Sequence, residues 1–205
     1  MIAAFLHGFI LALGLILPLG PQNVFVFNQG ALHQRFTRAL PAVMTAALCD
    51  TLLIALAVLG VSVVVMTLTW LKTIIFIVGF VFLILIGRQV WKSDASIDES
   101  VQKTSPLKQV IFAMSVSLLN PHAILDTIGV IGTGSLAYIG HEKWMYTLSC
   151  VLVSWLWFAG LAISGRLLGK MDQEGRWINR LNKISAIIIW VVAAYFAYEI
   201  INSII

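Results

Sequence analysis

Apolar runs long enough to cross a membrane recur six times along the chain, near residues 2–27, 39–66, 70–91, 109–133, 144–165 and 184–205, with polar segments between them. About 20 apolar residues in helical form span the hydrocarbon of a bilayer. Each run is expected to be a helix, because unpaired backbone N–H and C=O groups are too costly in lipid. The first run has no Lys or Arg before it and exceeds a leader-peptide core in length, so it reads as a span rather than a cleaved segment. The longest polar stretch, KSDASIDESVQKTSPLK at 92–108, divides the spans three and three.

Two of the runs are interrupted by proline. LGPQN at 19–23 and LNPHA at 119–123 both place a small or polar residue before a proline in mid-span, in the first helix of each half. Proline ends one helical segment and fits well at the first position of the next. Gly20–Pro21 and Asn120–Pro121 each read as a cap and first residue of a new half-helix. The expected fold is an all-α membrane protein of six transmembrane helices, arranged as two inverted-topology three-helix repeats with helices 1 and 4 broken at the Pro motifs. Its parts are a first repeat over 1–91, a polar cytoplasmic linker over 92–108 and a second repeat over 109–205.

Composition excludes a soluble enzyme. The 205 residues are 60% hydrophobic and 11% charged, with a mean hydropathy of +0.97, and six spans leave no room for a folded extramembrane domain. A formal net charge of +4 points to the topology rather than to nucleic acid, since the basic residues form no dense block. Arg35, Arg38, Arg88, Lys92, Lys103, Lys108, Arg166, Lys170, Arg176, Arg180 and Lys183 fall in the odd loops, and only Lys72 and Lys143 on the opposite side. Eleven against two places the odd loops in the cytoplasm and both termini outside. Trp177 in the basic loop RLLGKMDQEGRWINRLNK (166–183) reads as an interfacial anchor. His7, His33 and His141 are expected to be solvated, near span ends or in loops. Small residues four apart, Gly160 and Ser164, are a candidate helix contact within the chain or between copies, so a homo-oligomer stays open.

The candidate chemistry lies at the breaks and at two buried acids. A half-helix that starts at membrane depth presents N–H groups and partial positive charge, able to hold a carboxylate. Gln22 and Asn23 add amide donors and acceptors just after the first break. Asp50 and Asp126 are flanked by apolar sequence on both sides, and an intramembrane carboxylate costs at least about 2.5–3.5 kcal/mol at a span centre, which marks both as functional candidates. His122 precedes Asp126 by four residues, on one face if the helix resumes after Pro121, so the two could share a proton. A carboxylate-binding helix start beside buried aspartates suits a basic amino acid, whose tail the aspartates could bind, while they could also carry a coupling proton.

Three blocks, LPLGPQNVFVFNQG (17–30), CDTLLIA (49–55) and LNPHAILDTIGVIG (119–132), together resemble the basic amino-acid exporters of the LysE type in bacterial plasma membranes. The resemblance implies secondary export of L-arginine or L-lysine driven by the proton or membrane potential. It also implies roles for Pro21, Gln22, Asn23, Asn120, Pro121 and Asp126, with Asp50 as the other buried acid. Related neutral amino-acid exporters carry a shorter Pro-Gly-Pro-Asn form and a lysine after the second Asn-Pro, where this chain has His122. Rival readings are export of a divalent metal by Asp50, Asp126 and His122, and transmembrane thiol–disulfide electron transfer through Cys49 and Cys150. Neither cysteine lies in a CxxC or metal-ligand spacing, and carriers of that kind place cysteines beside the prolines, where Gly20 and Asn120 stand here. No cofactor is expected.

Overall fold

The computed structural model describes residues 1–17, 20–33, 35–61, 69–92, 105–171 and 176–204, and among them there is no strand. Helix α1 is Ile2–Ile16 and α2 is Pro21–Leu32, bent from α1 by 79°. A single 3₁₀ turn, Phe36–Arg38, leads into α3, Leu40–Leu56, which runs on in wider turns through Ala57–Val61. Next come α4, Thr69–Lys92, and α5, Pro106–Leu118. Helix α6, Pro121–Asp126, continues in wider turns through Thr127–Gly132 and one last turn, Thr133–Ser135. Two long helices complete the fold, α7, Gly140–Met171, and α8, Arg176–Ile204.

Leu40–Gly60 and Gly140–Met171 are long and apolar enough to cross a membrane, and the bent α1–α2 pair makes a third such segment if it is one span. Local chemistry explains the boundaries. Gly20 is extended (φ −76°, ψ 173°) and Pro21 takes the first helical position, where its missing N–H costs nothing. Ser105 caps α5, accepting from the Lys108 N–H at 3.4 Å, again with proline first in the helix. The extension of α3 reaches Gly60 at φ +104°, a conformation that other residues rarely adopt. The expected linker falls largely on 93–104, and the loop before Trp177 on 172–175, both outside the described residues.

Helix pairing follows a regular scheme. The α1–α2 segment packs along α7, α3 packs on α5 and on the α6 extension, and α4 packs along α8. If the chain is divided three and three, as the sequence leads one to expect, the first helix of each half pairs with the second helix of the other, and the two third helices pair together.

The α2–α7 contact is made backbone to backbone. A methyl group on Gly30 would collide with the Ala162 carbonyl, one on Gly165 with the Phe27 carbonyl, and one on Gly169 with the Ala31 carbonyl. Gly160 and Ser164, expected as a contact within the chain or between copies, are exposed, and a methyl on Gly160 would meet open space, so the first alternative falls. The small face that packs is the neighbouring one, Ala162, Gly165 and Gly169. Between α4 and α8 the core is side-chain packing, with Leu83, Ile86, Ile189, Ala193 and Phe196 interleaved and Val116 of α5 packed against them. His33, expected in solvent, is 5% exposed, because Gln109 of α5 closes over it.

Candidate functional site

Both helix breaks open onto one cavity of about 130 Å³. Residues 20–23 enter it at the start of α2, and Asn120 just before α6, Ala123 and Asp126 within α6 and Thr127 just after it line the other side. Asp50 and Ile54 of α3 and Ser154 of α7 line the floor between them. Apolar walls come from Ala12, Leu15 and Ile16 of α1, Ile131 of the α6 extension, Leu83 of α4 and Ile188, Ile189 and Val192 of α8. The first α-helical bonds are Val24 N–H to the Gly20 carbonyl and Ile124 N–H to the Asn120 carbonyl, each 3.1 Å. Both half-helices therefore begin at the cavity wall, and the partial positive charge of the α2 start is directed into it.

Asp50 is half-buried and held from two helices. Gln22 Nε2 donates to its Oδ1 at 3.0 Å and Ser154 Oγ to its Oδ2 at 3.0 Å. Each carboxylate oxygen keeps further lone-pair capacity toward the cavity, because a carboxylate accepts about four bonds. Asn23 has a different function in the geometry. Its Nδ2 donates to the Ile16 carbonyl at 2.7 Å, and its Oδ1 accepts from Trp157 Nε1 at 3.3 Å. The Ile16 carbonyl is one that the end of α1 leaves without a helical partner, so Asn23 ties the two sides of the break together and Trp157 fixes Asn23.

Pro21, Gln22, Asn23, Asp50, Asn120 and Asp126, separated by up to about a hundred residues, thus share one cavity. Pro121 opens α6, while its side chain and that of His122 lie outside the described residues, and with them the expected pairing of His122 and Asp126. Cys49 and Cys150 are free and buried, neither lines the cavity, and the Cys150 thiol donates to the Gly8 carbonyl at 3.4 Å. Among the described residues, no three His, Cys, Asp or Glu side chains converge as a metal site. Two contributors escaped sequence reasoning, Ser154 and Trp157. The available signal was a lone hydroxyl in an otherwise apolar stretch, CVLVSWLWF, whose partner only the packing of α3 on α7 supplies.

Comparison with known proteins finds relatives over nearly the whole chain. Residues 13–200 match the family model for LysE type translocators. A protein of Bacillus subtilis (strain 168) named "Putative amino-acid transporter YisU" is 52% identical over 198 residues, covering 96% of this chain and 90% of that protein. The arginine exporter protein ArgO of Salmonella typhimurium (strain LT2) is 32% identical over 206 residues, covering 97% of this chain and 95% of its own. The arginine exporter protein ArgO of Salmonella paratyphi A shows the same identity and coverage. No solved structure matches the chain. With the family model spanning most of the sequence, the chain belongs to the LysE type translocators, a family of membrane transporters.

Proposed function

We propose that the protein is a secondary exporter of basic L-amino acids, arginine or lysine, across the bacterial plasma (inner) membrane. The observation that carries this reading is the meeting of two carboxylates, Asp50 and Asp126, with the start of α2 in one cavity. A basic amino acid carries a carboxylate and an ammonium or guanidinium at opposite ends. Helix N–H groups and the Asn120 amide suit the first, and the aspartates suit the second. The arginine exporters among the relatives support the same substrate class.

The proposed transport cycle is alternating access around this site, which lies near the midplane of the membrane. Six spans as two inverted repeats find support in the reciprocal pairing of the first and second helices of the two halves. The excess of Lys and Arg in the odd loops supports cytoplasmic odd loops and external termini. Coupling is to the proton or the membrane potential, and Asp50, Asp126 and His122 are the groups proposed to carry the proton. Gln22, Pro21 and Asn23 shape the first break and Asn120 and Pro121 the second. A second copy of the chain is left as an open partner.

The test is counterflow of radiolabelled L-arginine into proteoliposomes preloaded with arginine, lysine, threonine or a divalent metal salt. Exchange with arginine or lysine alone is expected. Exchange with threonine would move the protein to the neutral amino-acid exporters, and exchange with the metal would favour a cation exporter. Ser154→Ala removes one donor from Asp50 while Gln22 remains. The expected result is a several-fold drop in initial rate, as one hydrogen bond to a charged group is worth roughly 1.5–3 kcal/mol at most. An unchanged rate would remove Ser154 from the working site.

A further inference from the structure

From Gln22 in the cavity wall to the far end of α2 runs one buried helix face, and its polar side chains beyond Gln22 are not used by the proposed site. Gln22, Val26, Gln29 and His33 recur at intervals of four, three and four residues, one face of a helix. Gln29 is 6% exposed, and its Oε1 is buried with no hydrogen-bond partner among the described residues. Helix α5 passes α2 at this end. The Gln109 amide, 2% exposed, donates to the His33 Nε2 at 3.2 Å, and the rings of Phe25 and Phe112 pack with centroids 4.5 Å apart. Ala113 and Ser117, four and eight residues after Gln109, are fully buried and lead back along α5 toward Asn120 in the cavity wall.

Leucine would fill such a seam without leaving an amide oxygen unbonded, and unbonded buried polar atoms are rare for that reason. The cavity extends the other way. Beyond the two breaks its wall takes in α1, Ile131 and single faces of α3, α4, α7 and α8, and among the described residues nothing of α2 past Asn23 or of α5 before Asn120. α2 is 12 residues long, about 18 Å at 1.5 Å per residue, or roughly half the hydrocarbon of a bilayer. It ends beside Arg35 and Arg38, on the basic face.

We infer that the α2–α5 seam is the closed inner half of the solute path, and that Gln29, His33 and Gln109 line it for the amino acid when the seam parts. This rests on the export reading. The structure is then the state closed toward the basic loops, with the site joined to the opposite side. Amide groups are suited to this passage because they exchange hydrogen bonds with a cationic amino acid without holding its charge. The same groups, if they only joined α2 to α5, would stay sealed from water through the whole cycle.

Gln29→Cys separates the two. Inside-out and right-side-out membrane vesicles are treated with a small, charged methanethiosulfonate that does not cross the bilayer, with and without saturating L-arginine, and wild type with its two buried cysteines sets the baseline. The inference predicts labelling at least about tenfold above baseline from the cytoplasmic face, slowed by arginine, and baseline labelling from the external face. Baseline labelling from both faces in monodisperse protein would overturn it, as would labelling that arginine does not alter. Gln109→Cys repeats the test from α5 should the first variant not fold. Arginine counterflow by wild type is measured in parallel, so a failure of the export reading appears there, whereas a failure of the seam appears in the labelling.

Discussion

Asp50→Asn is expected to abolish arginine counterflow, to below roughly a hundredth of the wild-type rate, while the protein remains folded. The substitution keeps the volume of the side chain and one acceptor for Gln22 or Ser154, the donors now 3.0 Å from the two carboxylate oxygens. What it removes is the charge. A charge-assisted bond to a guanidinium or ammonium is about twice as strong as a neutral one and is worth roughly 1.5–3 kcal/mol, a factor of about 10 to 150 in binding. Loss of the proton that the carboxylate is proposed to carry would add to this by uncoupling the cycle. Initial rates in proteoliposomes, normalised to protein that elutes as a single peak, measure the effect. Wild-type rates in this variant would show that Asp50 is a buried acid without a part in transport.

Gly165→Ala and Gly160→Ala lie five residues apart on α7 and are expected to differ sharply. At Gly165 the added methyl would meet the Phe27 carbonyl and the Ala31 N–H of α2, backbone atoms that have no rotamer to move into. Helix α2 would have to lift from α7, and overpacking of this kind costs about 1–3 kcal/mol or more. At Gly160 the methyl meets nothing within 4 Å, and the better helix propensity of alanine makes the change neutral or slightly stabilising. Melting of the purified protein in detergent is the readout, with a fall on the order of 5 °C for Gly165→Ala and no fall for Gly160→Ala. Transport should fall with the first as well, since α2 carries Gln22 and Asn23. Equal behaviour of the two would mean that the α2–α7 contact is looser than its backbone geometry.

These predictions separate what residue types dictate locally from what only packing decides. The breaks were legible because proline and its preceding cap act within one turn, and both appear at the expected residues, with Gly20 extended and Pro121 opening a helix. Asp50 and Asp126 were legible because a carboxylate in an apolar run has few structural excuses. A helix start beside buried aspartates was expected, and both breaks and both aspartates line one cavity; the partners that hold Asp50, Gln22 and Ser154, were not legible, as they depend on how α3 packs against α2 and α7. Spacing of four told that Gly160 and Ser164 share a face but not where that face points, and the helix turned its neighbour, Ala162–Gly165–Gly169, toward α2. His33 was read as a loop residue in water, whereas α5 arrives from more than seventy residues away to bury it. Trp157 steadies Asn23 across the first break with its indole N–H, a contact that only the packing of α7 along α2 supplies.

One cavity is proposed to recognise a carboxylate at one end of the solute and a cation at the other. Inhibition of L-arginine counterflow by two analogues tests it most directly: agmatine, which lacks the carboxylate, and citrulline, which has arginine's shape but no charge on its tail. Strong inhibition by unlabelled arginine and lysine is expected, and at least about tenfold weaker inhibition by both analogues, since each leaves one set of buried polar groups without its partner. Citrulline competing as well as arginine would contradict a role for Asp50 and Asp126 in holding the cationic tail, and agmatine doing so would contradict a carboxylate site at the start of α2.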